Sequence, residues 1–271
     1  MRIDLHSHTN RSDGTFSPVA LVQEAARREV GVLAVTDHDT VAALPEALEE
    51  GRRAGVRVLW GVEFSARDGG EVHVLSYFRA EPPEAFRALL ERQRLQRVDR
   101  ANAMLEALQK VGIVVTWEEL KAAGASDASV GRPHVARVLV SRGYAPSFNQ
   151  AFKQFLVPGA PAYVAQQVPS PQEAVAAVRA AGGVAGIAHP SHLKDPAVLE
   201  RALEAGLQAL EVWHPDHKPD QVAAYEALAR QKGLIPLGGS DFHGVGGSRA
   251  AKLGDHSPPA ETLARIEAAW G

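Results

Sequence analysis

Asp4-Leu-His-Ser-His-Thr-Asn-Arg-Ser-Asp-Gly14 is the segment from which the rest of the chain can be read. Arg2-Ile-Asp-Leu5 reads as a short buried strand, and His6 and His8 follow at its end. Residues at i and i+2 of a strand project from the same face. Two imidazoles on one face, with carboxylates nearby, suit a divalent metal ion. Asp13 and Gly14 then turn the chain away. A lone His-x-His is more often two surface residues in a turn. Here His or carboxylate residues recur at the ends of most later strands, and the recurrence changes the reading.

Working outward, a helix is expected from Ser17-Pro18 to about Val30, with Ser17 as its cap and Pro18 as its first residue. Val32-Leu-Ala-Val-Thr36 is a continuous apolar strand, of the kind buried on both faces of a parallel sheet, and it ends in Asp37-His38-Asp39. A helix from near Pro45 to Ala54 leads to the strand Val56–Val62 and so to Glu63. The short strand Val72–Tyr77 carries His73. The alternation resumes with a helix over 171–181 and the strand 184–188, which ends in His189-Pro190. A helix over 196–205 precedes the strand Gln208–Trp213, which ends in His214. A helix over 219–231 precedes Leu234–Gly239, which ends in Ser240-Asp241-Phe242-His243, and a last helix covers 260–270.

Between these halves the rhythm breaks. Residues 84–156 contain a long helix over 84–110 and shorter helical patterns, with no strand signal beyond Ile113-Val-Val115. They read as a helical subdomain, a substrate cap, inserted in a barrel made of 1–83 and 157–271. Residues 84–153 hold 11 Lys/Arg against 7 Asp/Glu in a chain whose net charge is −3. That excess is either a solvated helical face or a basic flap for an anionic substrate. The small overall negative charge argues against bulk coating of nucleic acid.

The chain has 271 residues, 45% of them hydrophobic, which is ample for one sizeable core. It has no cysteine, so any metal must sit on N and O ligands. No apolar run approaches the roughly 20 residues of a membrane span. Met1 leads straight into a strand without a charged-then-apolar leader, so a cytoplasmic enzyme with no membrane partner is expected.

Strand–helix alternation implies a parallel sheet with helical crossovers. About seven strands, most ending in residues that can carry chemistry, point to an α/β fold, a distorted (β/α)7 barrel with its site at the C-terminal strand ends. An open doubly wound sheet is the alternative, but it would concentrate its site at one switch point. There is no G-x-G-x-x-G or P-loop pattern.

His6-x-His8, Asp37-His38-Asp39, Glu63, His189-Pro190 and Asp241-x-His243 resemble, in order and across the whole chain, the motifs of the PHP (polymerase and histidinol phosphatase) family. The resemblance implies a distorted seven-stranded β/α barrel holding three divalent ions, Mn2+ foremost, with Zn2+ or Fe2+ also used. It implies one ion on His6, His8, Glu63 and Asp241, a second on Glu63, His73 and His189, and a third on Asp13, His38 and His243. Such ions generate hydroxide from bound water and clamp phosphoryl oxygens, which suits phosphate ester hydrolysis. Asp37 and Asp39 either orient imidazoles or cap the turn.

Asp13 and the segment Gly131-Arg132-Pro133-His134 resemble the group of this family that contains nucleotide 3′,5′-bisphosphate phosphatases and a 5′→3′ exoribonuclease. The implied substrate is a phosphorylated nucleotide or short RNA. Asp13, Glu63, Arg132 and His134 are the expected catalytic residues. Arg132, His134, His192 and His214 are the expected substrate contacts, with Gly131–His134 a plain helix start as the alternative. Trp213 is a base-stacking candidate whose other reading is a core residue. Histidinol-phosphate phosphatase is the competing activity. A binding module that has lost catalysis is the competing class, and no expected ligand is missing here to support it.

Overall fold

The computed structural model describes residues 1–125, 130–165, 167–244 and 251–270. One sheet holds seven strands in sequential order. They are β1 (Arg2–Asp4), β2 (Val30–Val35), β3 (Arg57–Asp68), β4 (Gly70–Phe78), β5 (Val184–Ile187), β6 (Ala209–Trp213) and β7 (Ile235–Gly238). The helices are α1 (Pro18–Arg27), α2 (Leu44–Ala54), α3 (Glu84–Lys110), α4 (Trp117–Ala122), α5 (Arg132–Ser141), α6 (Phe148–Ala151), α7 (Pro171–Ala180), α8 (Ala197–Glu204), α9 (Pro219–Lys232) and α10 (Glu261–Ala269).

Local chemistry sets the boundaries. The Ser17 hydroxyl accepts from the Ala20 N–H and Pro18 opens α1. That helix ends at Arg27, earlier than the expected Val30, because Glu29 turns at φ 59° and Val30 already belongs to β2. Ser170 and Glu173 cap α7 reciprocally.

The sheet is not wholly parallel, which corrects the expectation. β3 runs on past Glu63 to Asp68, turns at Gly69 (φ 64°), and returns as β4, antiparallel to both β3 and β5. No helix intervenes, so no crossover is available to make the pair parallel. Glu63 is therefore inside a strand and not at its end. Because β4 runs backwards, its early residue His73 pairs with Ser65, two residues beyond Glu63.

The first and last strands are linked by hydrogen bonds beyond their ends. Leu5 N–H donates to Gly238 O (3.0 Å), His8 N–H to Phe242 O (2.9 Å) and Asp241 N–H to His6 O (2.8 Å). One apolar cluster gathers side chains from all seven strands, among them Ile3, Val32, Leu59, Leu75, Val184, Ala209 and Leu237. The Tyr77 hydroxyl, in β4, donates to Leu5 O (2.8 Å). Outside the strands, α1 and α2 bury Leu21, Val22 and Ala47 against Leu33 and Val58. Likewise α7, α8 and α9 bury Val175, Val198 and Ala229 in the cluster that holds Val62 and Phe64.

The chain forms two compact units, Met1–Leu90 with Val168–Gly271, and Glu91–Gln167. The boundaries expected from the sequence are 84 and 156. The start of α3 stays with the first unit because Phe86 and Leu90 pack in its core, where Phe86 meets Phe64 and Phe78. Leu156 and Ala162 belong to the core of the second unit, with Met104, Leu108, Leu120 and Leu139. Ile113–Val115, read as a strand, is an irregular segment of that core, with Ile113 and Val115 buried and Val114 exposed. It has no partner strand among the described residues. No helix among these residues is long and apolar enough to cross a membrane.

Candidate metal centre

The stretch after β1 is held straight by its odd-numbered neighbour. Ser7 turns away from the site, its hydroxyl donating to Ala34 O (2.8 Å) and its N–H to the Thr36 hydroxyl (3.1 Å). His6 and His8 therefore share the opposite face. Asp4, fully buried, accepts from the N–H groups of His6, Ser240 and Gly254 and so ties this stretch to the one after β7. Gly239 permits that approach, since a Cβ there would lie 2.4 Å from His6 Cβ. Asp37 accepts from Thr9 N–H (2.7 Å), the Thr9 hydroxyl (2.6 Å) and the Ser12 hydroxyl (2.5 Å). Asp39 accepts from Ser65 N–H (2.7 Å). Both aspartates thus fasten loops by their hydrogen bonds, which favours the turn-capping alternative. Asp37 anchors the loop that presents Asp13.

Glu63 stands at the middle. Its Oε2 lies 3.2 Å from His6 Nε2, 3.2 Å from His8 Nε2 and 3.3 Å from His38 Nδ1. Its Oε1 lies 2.8 Å from His73 Nδ1 and 3.1 Å from His189 Nε2. Asp241 Oδ1 is 3.1 Å from His8 Nε2 and 3.4 Å from His6 Nε2. Asp13 is 3.3 Å from His243 Nε2, 3.5 Å from His8 Nδ1 and 3.7 Å from His38 Nε2. The structure thus brings together His6, His8, Asp13, His38, Glu63, His73, His189, Asp241 and His243. Among the described residues four sets have ligand spacing: His6-His8-Glu63-Asp241, His8-Asp13-His38-His243, His38-Glu63-His73 and His6-Glu211-His214.

The donor atoms fit metal ions. His6 Nε2, both ring nitrogens of His8 and His38 Nδ1 are buried and make no hydrogen bond. Buried polar atoms are ordinarily satisfied, so several orphans aimed inward at carboxylates call for a further partner. Ligands about 2.1 Å from one ion stand roughly 3.0–3.4 Å from each other, which matches most of these separations. Among the described residues, three of the four non-glycine residues with positive φ lie here: Asp39 (52°), His189 (27°) and Asp241 (48°). Strained backbone of this kind persists where surrounding structure imposes it.

Electrostatics point the same way. The Glu63 carboxyl is held well below the usual range: burial opposes ionisation, and His38, His73 and His6 overcome it. Asp13 is likewise held low, burial being overcome by His38 and His243. Burial dominates at His38 and His189, pushing both down to about 3 despite the carboxylates, so each offers a neutral ring. At His6 burial is outweighed by Glu211 and Glu63, and its pKa is pushed up to about 10. A cluster that draws a proton onto a fully buried imidazole has an excess of negative charge, which a cation would neutralise.

Other expected residues fall elsewhere. His214 is buried with both ring nitrogens addressed to protein groups, which argues against a phosphate or ribose contact. Nδ1 accepts from Asp216 N–H (3.1 Å) and Nε2 faces Asp241 Oδ2 (3.2 Å). His192 is 40% exposed, 3.0 Å from Asp216, with its ring 4.6 Å from that of His189. Trp213 packs partly buried against the apolar core, its alternative reading. Arg132 and His134 lie in the second unit, where Arg132 stands over the Phe152 ring (5.6 Å) and His134 Nδ1 accepts from Gly131 N–H (3.2 Å). Sequence reasoning missed Glu211, whose Oε1 is 2.9 Å from His6 Nδ1. The available signal was a carboxylate in the middle of the apolar strand Ala209-Leu-Glu-Val-Trp213.

The chain is similar to known proteins over most of its length. Residues 4–116 match the PHP domain model. The chain is 35% identical over 266 residues to a 3′,5′-nucleoside bisphosphate phosphatase of Chromobacterium violaceum, covering 95% of this chain and 93% of that one. It is 36% identical over 248 residues to the 5′-3′ exoribonuclease Rnm of Salmonella typhimurium, covering 89% and 84%. A solved structure from Bifidobacterium adolescentis, described as a metal-dependent phosphoesterase, superposes with a TM-score of 0.85 at 31% identity, covering 99% of this chain and 96% of that one. With its inward-facing imidazoles, its central glutamate and these relatives, the chain belongs to the PHP family of metal-dependent phosphoesterases and is a hydrolase.

Proposed function

We propose that the protein removes phosphate from nucleotide 3′,5′-bisphosphates or from short 5′-phosphorylated oligoribonucleotides, using three divalent ions. The observation that carries this is the set of buried, orphaned imidazole nitrogens around Glu63. His6, His8, Glu63 and Asp241 would hold one ion, Glu63, His73 and His189 a second, and Asp13, His38 and His243 a third. Mn2+ is the first candidate, with Zn2+ or Fe2+ as alternatives for an all N/O donor set. Bound there, the ions would supply Lewis-acid stabilisation of the phosphoryl oxygens and a water of lowered pKa.

The chain's own residues do the rest. Glu63, whose two oxygens face different imidazoles, would serve the first two ions together. Asp13, held by the loop that Asp37 anchors, would serve the third. His38 and His189, kept neutral by burial, would offer ring lone pairs without first losing a proton. His192, exposed beside His189, is the proposed contact to substrate oxygen. Arg132 and His134 are proposed as grips for a second phosphate, since guanidinium pairs with phosphate bidentately. The scaffold is proposed to be a closed, distorted (β/α)7 barrel. The bonds from Leu5, His8 and Asp241 between the first and last strands support this, as does the cluster shared by all seven.

The names of the relatives support the substrate class. The test is a hydrolysis panel with added Mn2+: a nucleotide 3′,5′-bisphosphate, short 5′-phosphorylated RNA and DNA, and histidinol phosphate. Phosphate release from the first two, abolished by chelation and restored by metal, is expected. Preference for histidinol phosphate would replace this reading with the competing phosphatase. A protein that keeps no metal and hydrolyses nothing would indicate a binding module.

A further inference from the structure

We propose that Glu211 is a positioning residue that couples the His6 ion site to the His189 ion site and does not itself bind an ion. The proposal rests on the three-ion reading above. Glu211 is fully buried in β6. Its Oε1 accepts from His6 Nδ1 (2.9 Å). A carboxylate that accepts there keeps the proton of His6 on Nδ1 and leaves Nε2 as the lone pair. That Nε2 is the buried, orphaned atom 3.2 Å from Glu63 and 3.4 Å from Asp241.

The other oxygen does different work. Oε2 accepts from the backbone N–H of His189 (2.6 Å). His189 has φ 27° and ψ 64°, a conformation that residues with a side chain avoid. The bond to Glu211 holds this backbone where the His189 ring lies with Nε2 3.1 Å from Glu63 Oε1. One carboxylate thus sets the tautomer of a ligand on one side and the backbone of a ligand on the other.

His6, Glu211 and His214 also have the spacing of a metal site. Protons already fill it. Both Glu211 oxygens accept hydrogen bonds, and His6 Nδ1 is one of the donors. His214 Nδ1 accepts from Asp216 N–H, so its proton is on Nε2, facing Asp241. With His6 protonated on Nδ1 and both His214 ring nitrogens committed, neither imidazole has a lone pair left that points into the group.

Glu211→Gln tests this with little change of volume. The amide has one oxygen and one NH2, so one of its two partners must face a donor. Metal-free wild type and variant are titrated with Mn2+, with bound ions counted by elemental analysis and affinities read by calorimetry. Asp13→Ala, measured in parallel, marks the third ion. We expect two ions to bind about 10–100-fold more weakly in Glu211→Gln while the third is unchanged. No weakening, or equal weakening of all three, overturns the proposal. A wild type that binds no ions overturns the three-ion reading instead. Should the variant fail to fold, long-range 1H–15N spectra of the Zn2+-loaded wild type decide. His6 protonated on Nδ1 and His214 on Nε2 are expected, and His6 protonated on Nε2 overturns the coupling.

Discussion

The two units use polar side chains to different ends. In Met1–Leu90 with Val168–Gly271, buried imidazoles and carboxylates face one another, and several ring nitrogens have no hydrogen bond. In Glu91–Gln167 cationic side chains finish the backbone. Arg100 Nε donates to Val164 O (2.8 Å), Arg142 to Val114 O (2.6 Å) and Arg137 to Ala123 O (3.3 Å) at the end of α4. A local excess of Arg is therefore not equivalent to a cationic site, because guanidinium groups also satisfy carbonyls at loop and helix ends. Converging groups left without hydrogen bonds are the more specific mark of chemistry.

The sharpest way to break this contrast is Glu63→Gln. Its charge, more than its volume, is what the centre uses, and losing several kcal/mol of charge stabilisation should lower phosphate release about a thousandfold or more. The fold, followed by circular dichroism, should survive. Wild-type turnover with unchanged metal content would remove Glu63 from the centre. Asp13→Ala should be milder. It should cost one ion by elemental analysis and about a hundredfold in activity, while the ions on the His6 and His73 sides stay. Loss of all ions together would show one indivisible cluster.

The second unit is probed by Arg132→Ala. Losing a charged hydrogen bond to phosphate should lower kcat/KM for a nucleotide bisphosphate by about ten- to a hundredfold. Hydrolysis of p-nitrophenyl phosphate should fall much less. Equal losses would assign Arg132 to the reacting phosphoryl group, and no loss would remove it as a phosphate grip. The smallest effect on chemistry is expected from Leu139→Ala. Truncating this fully buried side chain of the second core should destabilise by roughly 2–5 kcal/mol in denaturant melts. Metal content should not change. A parallel loss of metal would show that the units do not separate energetically.

Much of the centre was legible because its residues follow a period. His6 and His8 share a face by the two-residue repeat, and His38, His189 and Asp241 follow apolar runs of strand length. Glu211 escaped because it lies inside a run and not after one. His73 was read at a strand end, but it reaches the centre through a strand that runs backwards.

Which residue types stand after which strands, where Ser17-Pro18 starts a helix, and that the donors are N and O only can all be read along the chain. These are local properties, set by side-chain chemistry and spacing along the chain. Which of these residues meet at Glu63 is set by the three-dimensional fold. The fold also sets that His214 turns to Asp241, that Arg132 lies over the Phe152 ring, and that Asp37 holds a loop. Each of these depends on strand order, strand direction and the partner a buried polar atom finds across the fold, and no periodicity along the chain encodes that.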